Sequence, residues 1–167
     1  MIKRRFLGFS LLEMVLVCAI ILIVAALSIP VYDQMVKAEC FKARVMRFYR
    51  HLQYARHLSI TKNREVTVCP VGEAGLCGNT WGKGYLILLG ENIHFMEKML
   101  KEAGMNSVDS LIFKSFPSRY FLKFTPKGTT AYQNGTFYFY PSMPFLKPQR
   151  IIVSQTGRMR IEEGLKG

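Results

Sequence analysis

The chain carries at residues 8–32 the run GFSLLEMVLVCAIILIVAALSIPVY, and this run sets its architecture. No residue from Met14 to Tyr32 is charged. These roughly 19 residues would form about 28 Å of helix, enough to cross the hydrocarbon core of a bilayer. The short basic patch Lys3-Arg4-Arg5 precedes the run. Because positive charge is retained on the cytoplasmic side of a membrane, we expect a cytoplasmic N-terminus and a C-terminal part outside the inner membrane.

Three interpretations of this N-terminus compete. It could be a secretory signal cleaved near Val24-Ala25-Ala26, an uncleaved signal anchor, or a leader cut further upstream. Glu13 discriminates between them, because a carboxylate in an apolar segment costs about 2.5–3.5 kcal/mol near the centre of a membrane helix and less near its end. A simple secretory signal has no use for that charge, which favours the early cut.

The string Gly8-Phe9-Ser10-Leu11-Leu12-Glu13 resembles the cleavage signature of type IV prepilins. In that family a short basic leader ends in Gly, Phe usually follows, and Glu occupies the fifth mature position. The resemblance implies that residues 1–8 are a leader, that a membrane prepilin peptidase cuts between Gly8 and Phe9, and that it methylates the new amine of Phe9. It also implies that Glu13 pairs with the N-terminal amine of a neighbouring subunit, which would supply the partner that a lone charge in lipid requires.

Apolar residues continue beyond this run at spacings of three and four. Pro30 stands where many pilins carry a proline, and its missing N–H predicts a kink there. The later positions predict one helix over residues 9–61, with 9–32 as the transmembrane or fibre-core part and the remainder packed on a domain. The positions are Val31, Met35, Ala38, Phe41, Val45, Phe48, Leu52 and Ala55.

From Glu65 onward the pattern changes to short β-like runs. Asn134-Gly135 predicts a hairpin turn, and Ile93–Ala103 predicts a short helix. One long helix followed by short strands is typical of an α+β protein with antiparallel sheets, and residues 62–167 would form a periplasmic β-rich domain. The predicted strands are Val66–Cys69, Tyr85–Leu89, Leu111–Phe116, Tyr120–Thr125, Thr136–Tyr140, Arg150–Ser154 and Arg158–Ile161.

A set of short motifs in the helix and the domain resembles the GspH/FimT/FimU group of minor pilins and pseudopilins. The resemblance implies a subunit of a type IV pilus or a type II secretion system at or near the fibre tip, with other pilin subunits, prepilin peptidase and the inner membrane as partners. Group members often carry a further Cys in the strand that follows Asn-Gly-Thr, and no such Cys is present here. The motifs, in order, are Ala55-Arg56, Val68-Cys69, Cys77, Trp81-Gly82-Lys83-Gly84, Asn134-Gly135-Thr136 and Gly157-Arg158-Met159-Arg160.

Cys69 and Cys77 are close in sequence and lie in the part expected to be periplasmic, an oxidising compartment. We predict a disulfide between them. The alternatives are two free thiols or a zinc site, although four zinc ligands cannot be assembled at a recognisable spacing. Nor do the three histidines form a triad or metal pattern, so we expect no enzyme, no metal and no cofactor.

The net charge of +12, from 23 Lys and Arg against 11 Asp and Glu, suggests an anionic partner such as nucleic acid, lipid headgroups or an acidic protein. The alternative is a basic surface that is simply solvated. Arg158 and Arg160 alternate along a predicted strand, so both would project from one face and could grip adjacent phosphates. Lys147 and Arg150 would join them across the hairpin. In FimT-like members the Gly157–Arg160 motif resembles a DNA-binding element of natural transformation, which implies double-stranded DNA as a partner. Alternatively, these arginines pair with Glu162, Glu163 or a neighbouring subunit.

Overall fold

The computed structural model describes residues 10–72, 76–81, 84–90, 92–98 and 110–164, without the side chains of 26–31 and 92–98. These residues form one helix followed by eight strands. The elements are α1 (Leu11–Thr61), β1 (Val66–Pro70), β2 (Gly84–Leu89), β3 (Asn92–Lys98), β4 (Ser110–Phe116), β5 (Leu122–Phe124), β6 (Asn134–Tyr140), β7 (Gln149–Val153) and β8 (Met159–Glu163). The chain divides into two compact units, Met1–Cys40 and Phe41–Gly167.

The first unit contains the N-terminal part of α1. Its helix begins where the Ser10 carbonyl oxygen accepts hydrogen bonds from the backbone N–H groups of Glu13 (3.0 Å) and Met14 (3.2 Å). Glu13 therefore lies in the first turn, where a negative charge complements the positive end of the helix. All side chains from 11 to 25 are exposed. Within the described part of the chain, no helix has the length and apolar character needed to cross a membrane.

The second unit contains two four-stranded antiparallel sheets, one with the strand order β3-β2-β1-β5 and the other with β4-β6-β7-β8. One helix followed by antiparallel sheets confirms the predicted α+β class. The unit begins at Phe41 and not at residue 62, because the second part of α1 supplies core residues. These are Phe41, Val45, Phe48, Leu52, Ala55 and Leu58, and all are buried.

Phe48 lies at the centre of the hydrophobic core. Its ring packs edge-on against Tyr85 of β2 at 4.7 Å and against Phe137 of β6 at 4.9 Å between centroids. It also contacts Trp81 at 6.1 Å and Phe139 at 5.5 Å. One helical side chain thus touches strands of both sheets, which explains why the apolar positions recur at helical spacing in this part of the sequence.

Two sequence predictions about local structure are wrong. The expected helix Ile93–Ala103 is strand β3 as far as Lys98, because this segment pairs with β2; residues 99–103 lie outside the described residues. Asn134-Gly135 is not a hairpin turn but the start of β6, where Gly135 pairs with Ser115 and Val153. Its glycine serves close packing, since a Cβ there would lie 2.5 Å from Cε2 of Phe113.

Candidate functional site

The hairpin between β7 and β8 presents the arginines of the predicted binding motif. Its turn closes through two backbone hydrogen bonds of 2.9 Å, from Ser154 N–H to the Arg158 carbonyl and from Gly157 N–H to the Ser154 carbonyl. Gly157 is buried with φ at 76°. A Cβ at this position would lie 2.0 Å from the Gly128 carbonyl oxygen. Gly157 therefore shapes the turn and is too enclosed to touch a ligand.

Two residues from distant parts of the sequence hold this turn in place. Arg56 donates from Nε to the Gly128 carbonyl at 2.9 Å and from Nη2 to the Thr156 carbonyl at 3.4 Å. Thr130 donates its backbone N–H to the Gln155 carbonyl at 3.0 Å. Neither role was predicted from the sequence, in which Arg56 stood out only as part of the Ala55-Arg56 motif. The sequence signal for the Arg56 contact was that the Ala55-Arg56 and Gly157-Arg158 motifs occur together in one chain.

Arg158 immediately precedes β8, with its side chain exposed. Among the described residues, no carboxylate lies within ion-pair distance of its guanidinium. On one side, Arg158 lines a groove of about 470 Å³ that also includes His57 and Ile60 of α1. On the other side, it shares a depression of about 170 Å³ with Ile152 and Arg160. Arg158 and Arg160 therefore lie beside one depression, and Arg158 keeps its charge available to an anion.

Arg150 and Arg160 are engaged by the same carboxylate. Arg150 donates to Oε2 of Glu162 from Nη2 at 2.6 Å and from Nε at 2.9 Å. Arg160 Nε lies 2.8 Å from Oε1 of Glu162. The hydrogen bond from Arg150 is the main cause that lowers the pKa of Glu162, with the charges of Arg150 and Arg160 adding to it. Together, the side chains of Arg150, Arg160 and Glu162 carry one net positive charge, and they remain partly exposed to solvent.

Lys147 is not brought together with Arg158. It is exposed in the connection that precedes β7, whereas Arg158 follows the turn at the other end of that strand. β7 has five residues, which separates the two cations by roughly 17 Å along the strand direction. The binding group predicted from sequence is thus divided into three parts: Arg158, which has no carboxylate partner among the described residues, a pair of arginines that share Glu162, and the remote Lys147.

Cys69 and Cys77 are joined by a disulfide with a Cα–Cα distance of 5.5 Å. Cys69 is buried at the end of β1, and the bridge is supported by the pairing of Val71 with Cys77. Backbone N–H groups of Gly72 and Gly78 donate to the carbonyls of Leu76 (2.7 Å) and Pro70 (2.8 Å). Across the described residues, no three His, Cys, Asp or Glu side chains are grouped as metal ligands would be.

The predicted N-terminal processing site lies mostly outside the described residues, which exclude Gly8 and Phe9. Glu13 is exposed and forms no ion pair with any side chain in the described part of the chain. Pro30 lies within the helical residues of α1.

Comparison with known proteins gives family matches in the N-terminal segment and in the remainder of the chain. A family model described as Type II transport protein GspH matches residues 44–157, and one described as Prokaryotic N-terminal methylation motif matches residues 3–29. No curated protein matches the chain. The crystal structure of the type IV minor pilin FimU from Pseudomonas aeruginosa (space group P21) is similar, with 22% identity over 77% of this chain and 87% of that one, at a TM-score of 0.50. A second crystal form (space group P65) gives 24% identity, coverage of 77% and 91%, and a TM-score of 0.45.

Proposed function

Because the chain belongs to the GspH family of type IV pilin-like subunits, we propose that it is a minor pilin or pseudopilin of a type IV pilus or a type II secretion system. It is made as a precursor, cut by prepilin peptidase between Gly8 and Phe9, methylated on the Phe9 amine, and assembled with other subunits at or near the fibre tip. The match of the N-terminal methylation motif to residues 3–29 supports the processing steps.

The exposed apolar surface of α1 carries this proposal. Large apolar side chains are exposed all around the N-terminal part of this helix, among them Leu11 (82% exposed), Leu12 (76%) and Leu22 (69%). A helix that is apolar all round must be covered, and an uncovered surface of this kind marks an interaction site. The bilayer covers residues 9–32 before assembly, and the helices of neighbouring subunits cover them in the fibre.

Glu13 sets the register of assembly in this proposal. It has no cationic partner in the described part of its own chain, and the methylated amine of Phe9 on a neighbouring subunit supplies one. Lys3-Arg4-Arg5 keeps the N-terminus in the cytoplasm and leaves the β-rich domain in the periplasm, so that the protein crosses the inner membrane once. The disulfide between Cys69 and Cys77 suits that oxidising compartment.

The proposal is tested in cells that make the complete fibre, by following leader removal and the amount of subunit in the sheared fibre fraction. Gly8→Ala should leave residues 1–8 attached. Glu13→Gln should be cut normally yet be absent from the fibre, because its neutral amide cannot neutralise the amine. Glu163→Gln, an exposed glutamate of the domain, is the matched control and should assemble normally. Normal processing of Gly8→Ala together with normal assembly of Glu13→Gln would refute the proposal.

A second candidate function, capture of double-stranded DNA during DNA uptake, is favoured by Arg158. This guanidinium is exposed and has no carboxylate partner among the described residues, next to a pair of arginines that keeps a net positive charge. A guanidinium group binds phosphate well, because its planar N–H donors can form two parallel hydrogen bonds to the phosphate oxygens. In this proposal Arg158 makes the main contact, Arg160 and Arg150 contribute charge, and Gly157 and Arg56 fix the turn.

Duplex binding is measured by fluorescence anisotropy over a salt series, with the full chain in a non-ionic detergent. Arg158→Ala should weaken binding several-fold and reduce the slope of log affinity against log salt by about one. Arg119→Ala removes an exposed cation that lies beside the ring of Phe121, and it serves as the control. Equal losses in the two variants would mean that the protein attracts DNA by its overall charge and has no site at Arg158.

A further inference from the structure

The sheet that carries the arginine hairpin has a second face, which points away from the core. Strand alternation buries Phe137, Phe139, Ile151 and Val153 on the inner face. The residues between them project on the opposite side, which we term the outer sheet face. Its members include Ile112, Lys114, Tyr138, Tyr140, Arg150, Ile152, Arg160 and Glu162.

Strand register places all of these residues except Tyr140, which pairs with Ser110 of β4, in two rows across the sheet. One row runs from Ile112 through Tyr138 and Arg150 to Glu162. The other runs from Lys114 through Thr136 and Ile152 to Arg160. Each row crosses four strands, or about 14 Å. Cations therefore lie near both edges of the face, with aromatic and apolar side chains between them.

A pair of tyrosines lies on β6, with Tyr138 within the strand and Tyr140 at its end. The rings of Tyr138 and Tyr140 are nearly parallel, at 20°, with centroids 6.4 Å apart. Lys114 Nζ lies 5.6 Å from the Tyr138 centroid, where its charge interacts favourably with the ring. Two further apolar side chains on the β4 edge are exposed, Ile112 (44%) and Phe116 (76%). The face thus offers two flat, half-buried rings that remain partly open to solvent.

We propose that the outer sheet face binds single-stranded DNA, with bases stacked on Tyr138 and Tyr140 and phosphates held by Lys114 and Arg160. This deepens the DNA-capture function proposed above and rests on it. Aromatic side chains on an open sheet, flanked by cations, are how proteins bind unpaired bases, because every base has a face to stack. A duplex hides its bases, so it could use the cations of this face but not its rings.

Charge and continuity favour this occupant over a protein partner. With Arg158, the region carries four cations against one carboxylate, and two of those cations share that carboxylate. Arg158 and Arg160 border the same depression, so a strand held at Arg158 can continue onto the outer sheet face without a break. An acidic polypeptide would satisfy the cations but would not require parallel tyrosine rings.

The test compares labelled oligothymidine with a duplex of equal length, using the full chain in a non-ionic detergent. Tyr138→Leu/Tyr140→Leu should weaken oligothymidine binding by about tenfold or more, because two base stacks are lost, while duplex affinity stays within about twofold. Tyr54→Leu is the matched control, because this exposed tyrosine lies on α1, which packs against the inner face of the sheet. A strand containing 2-aminopurine gives a measurement on the unaltered protein, because stacking on a tyrosine should quench its fluorescence.

The possible outcomes distinguish failure of the outer-face proposal from failure of the DNA-capture function on which it rests. Arg158-dependent duplex binding, combined with no effect of the tyrosine variant and no 2-aminopurine quenching, would overturn the outer-face proposal and leave DNA capture standing. Tyrosine-dependent binding of oligothymidine with duplex binding unchanged by Arg158→Ala would support the face and refute the Arg158 site. Failure to bind both oligothymidine and the duplex would refute the DNA-capture function and the outer-face proposal together. Displacement of oligothymidine by polyglutamate at equal charge concentration would also overturn the proposal, because the face would then recognise charge alone.

Discussion

Arg56 Nε lies 2.9 Å from the carbonyl oxygen of Gly128, and this same oxygen stands against the α-carbon side of Gly157. One contact thus ties the end of α1, the loop after β5 and the final hairpin together. Arg158 follows directly in sequence, so its position depends on this junction. The backbone of Arg158 is also fixed by Ser154, whose Oγ accepts from the Arg158 N–H at 3.2 Å and donates to the Arg158 carbonyl oxygen at 3.1 Å. The guanidinium of Arg158 has no carboxylate partner among the described residues.

This junction predicts that Gly157→Ala is strongly destabilising. The new Cβ would lie 2.0 Å from a backbone oxygen, at a φ of 76° that disfavours alanine. We expect a loss of about 2–3 kcal/mol in the free energy of unfolding, measured by denaturant titration. Gly164→Ala is the matched control, because Gly164 has a φ of 81° but no atom within 4 Å of the added Cβ. It should cost only about 1 kcal/mol, and equal costs for the two variants would contradict the account.

The shared carboxylate of Glu162 predicts a pH dependence. The hydrogen bond from Arg150 lowers the pKa of Glu162 in the folded chain, so its contribution to stability is complete above the ordinary pKa of about 4.3. The contribution is lost as the pH falls through the lowered folded-state pKa. Unfolding measured against pH should therefore show wild type more stable than Glu162→Gln at neutral pH, with the difference shrinking below about pH 4. A difference that stays constant down to the acid limit would rule out this role.

The core predicts a large effect at one aromatic side chain. Phe48→Ala removes a fully enclosed ring that touches four others, and it should lower the free energy of unfolding by about 3–5 kcal/mol. Met46→Ala, on the same helix with a 42% exposed side chain, is the control and should change stability by less than about 1 kcal/mol. Similar losses in both variants would mean that α1 does not pack as described.

The disulfide predicts a redox-dependent stability. Closing the loop between Cys69 and Cys77, a separation of eight residues, restricts the unfolded chain. Cys77→Ser should therefore cost about 2–3 kcal/mol. Adding a reductant should destabilise wild type by a similar amount and leave Cys77→Ser unchanged, whereas Cys40→Ser should keep the response of wild type. A reductant effect that persists in Cys77→Ser would show that the stabilisation has another source.

Sequence reasoning correctly predicted the helix and strands that follow from the local spacing of apolar residues. The helical spacing of Phe41, Val45 and Phe48 predicted α1 and its buried stripe, and the short apolar runs predicted six of the strands closely. The segment Asn92–Lys98 failed because pairing with β2 decides its conformation. Asn134-Gly135 failed because a glycine can serve close packing as well as a turn, and only the ring of Phe113 distinguishes the two uses.

The binding region was less accessible to sequence reasoning, because it depends on contacts between distant residues. Alternation predicted that Arg158 and Arg160 share a face, and Glu162 was one of the alternative partners considered. The strand register that sets Arg150 opposite Glu162 cannot be read from spacing. Arg56 acts on Gly128 across a separation of 72 residues, a contact that only the folded sheets create.

The central claim is that this chain is a processed pilin-like subunit, and the intact mass of the protein isolated from the cells that make it tests this most directly. The account predicts a chain that begins at Phe9, lacks residues 1–8 and carries one added methyl group on its N-terminal amine. A chain that still begins at Met1, or one cut near Ala25-Ala26, would contradict it.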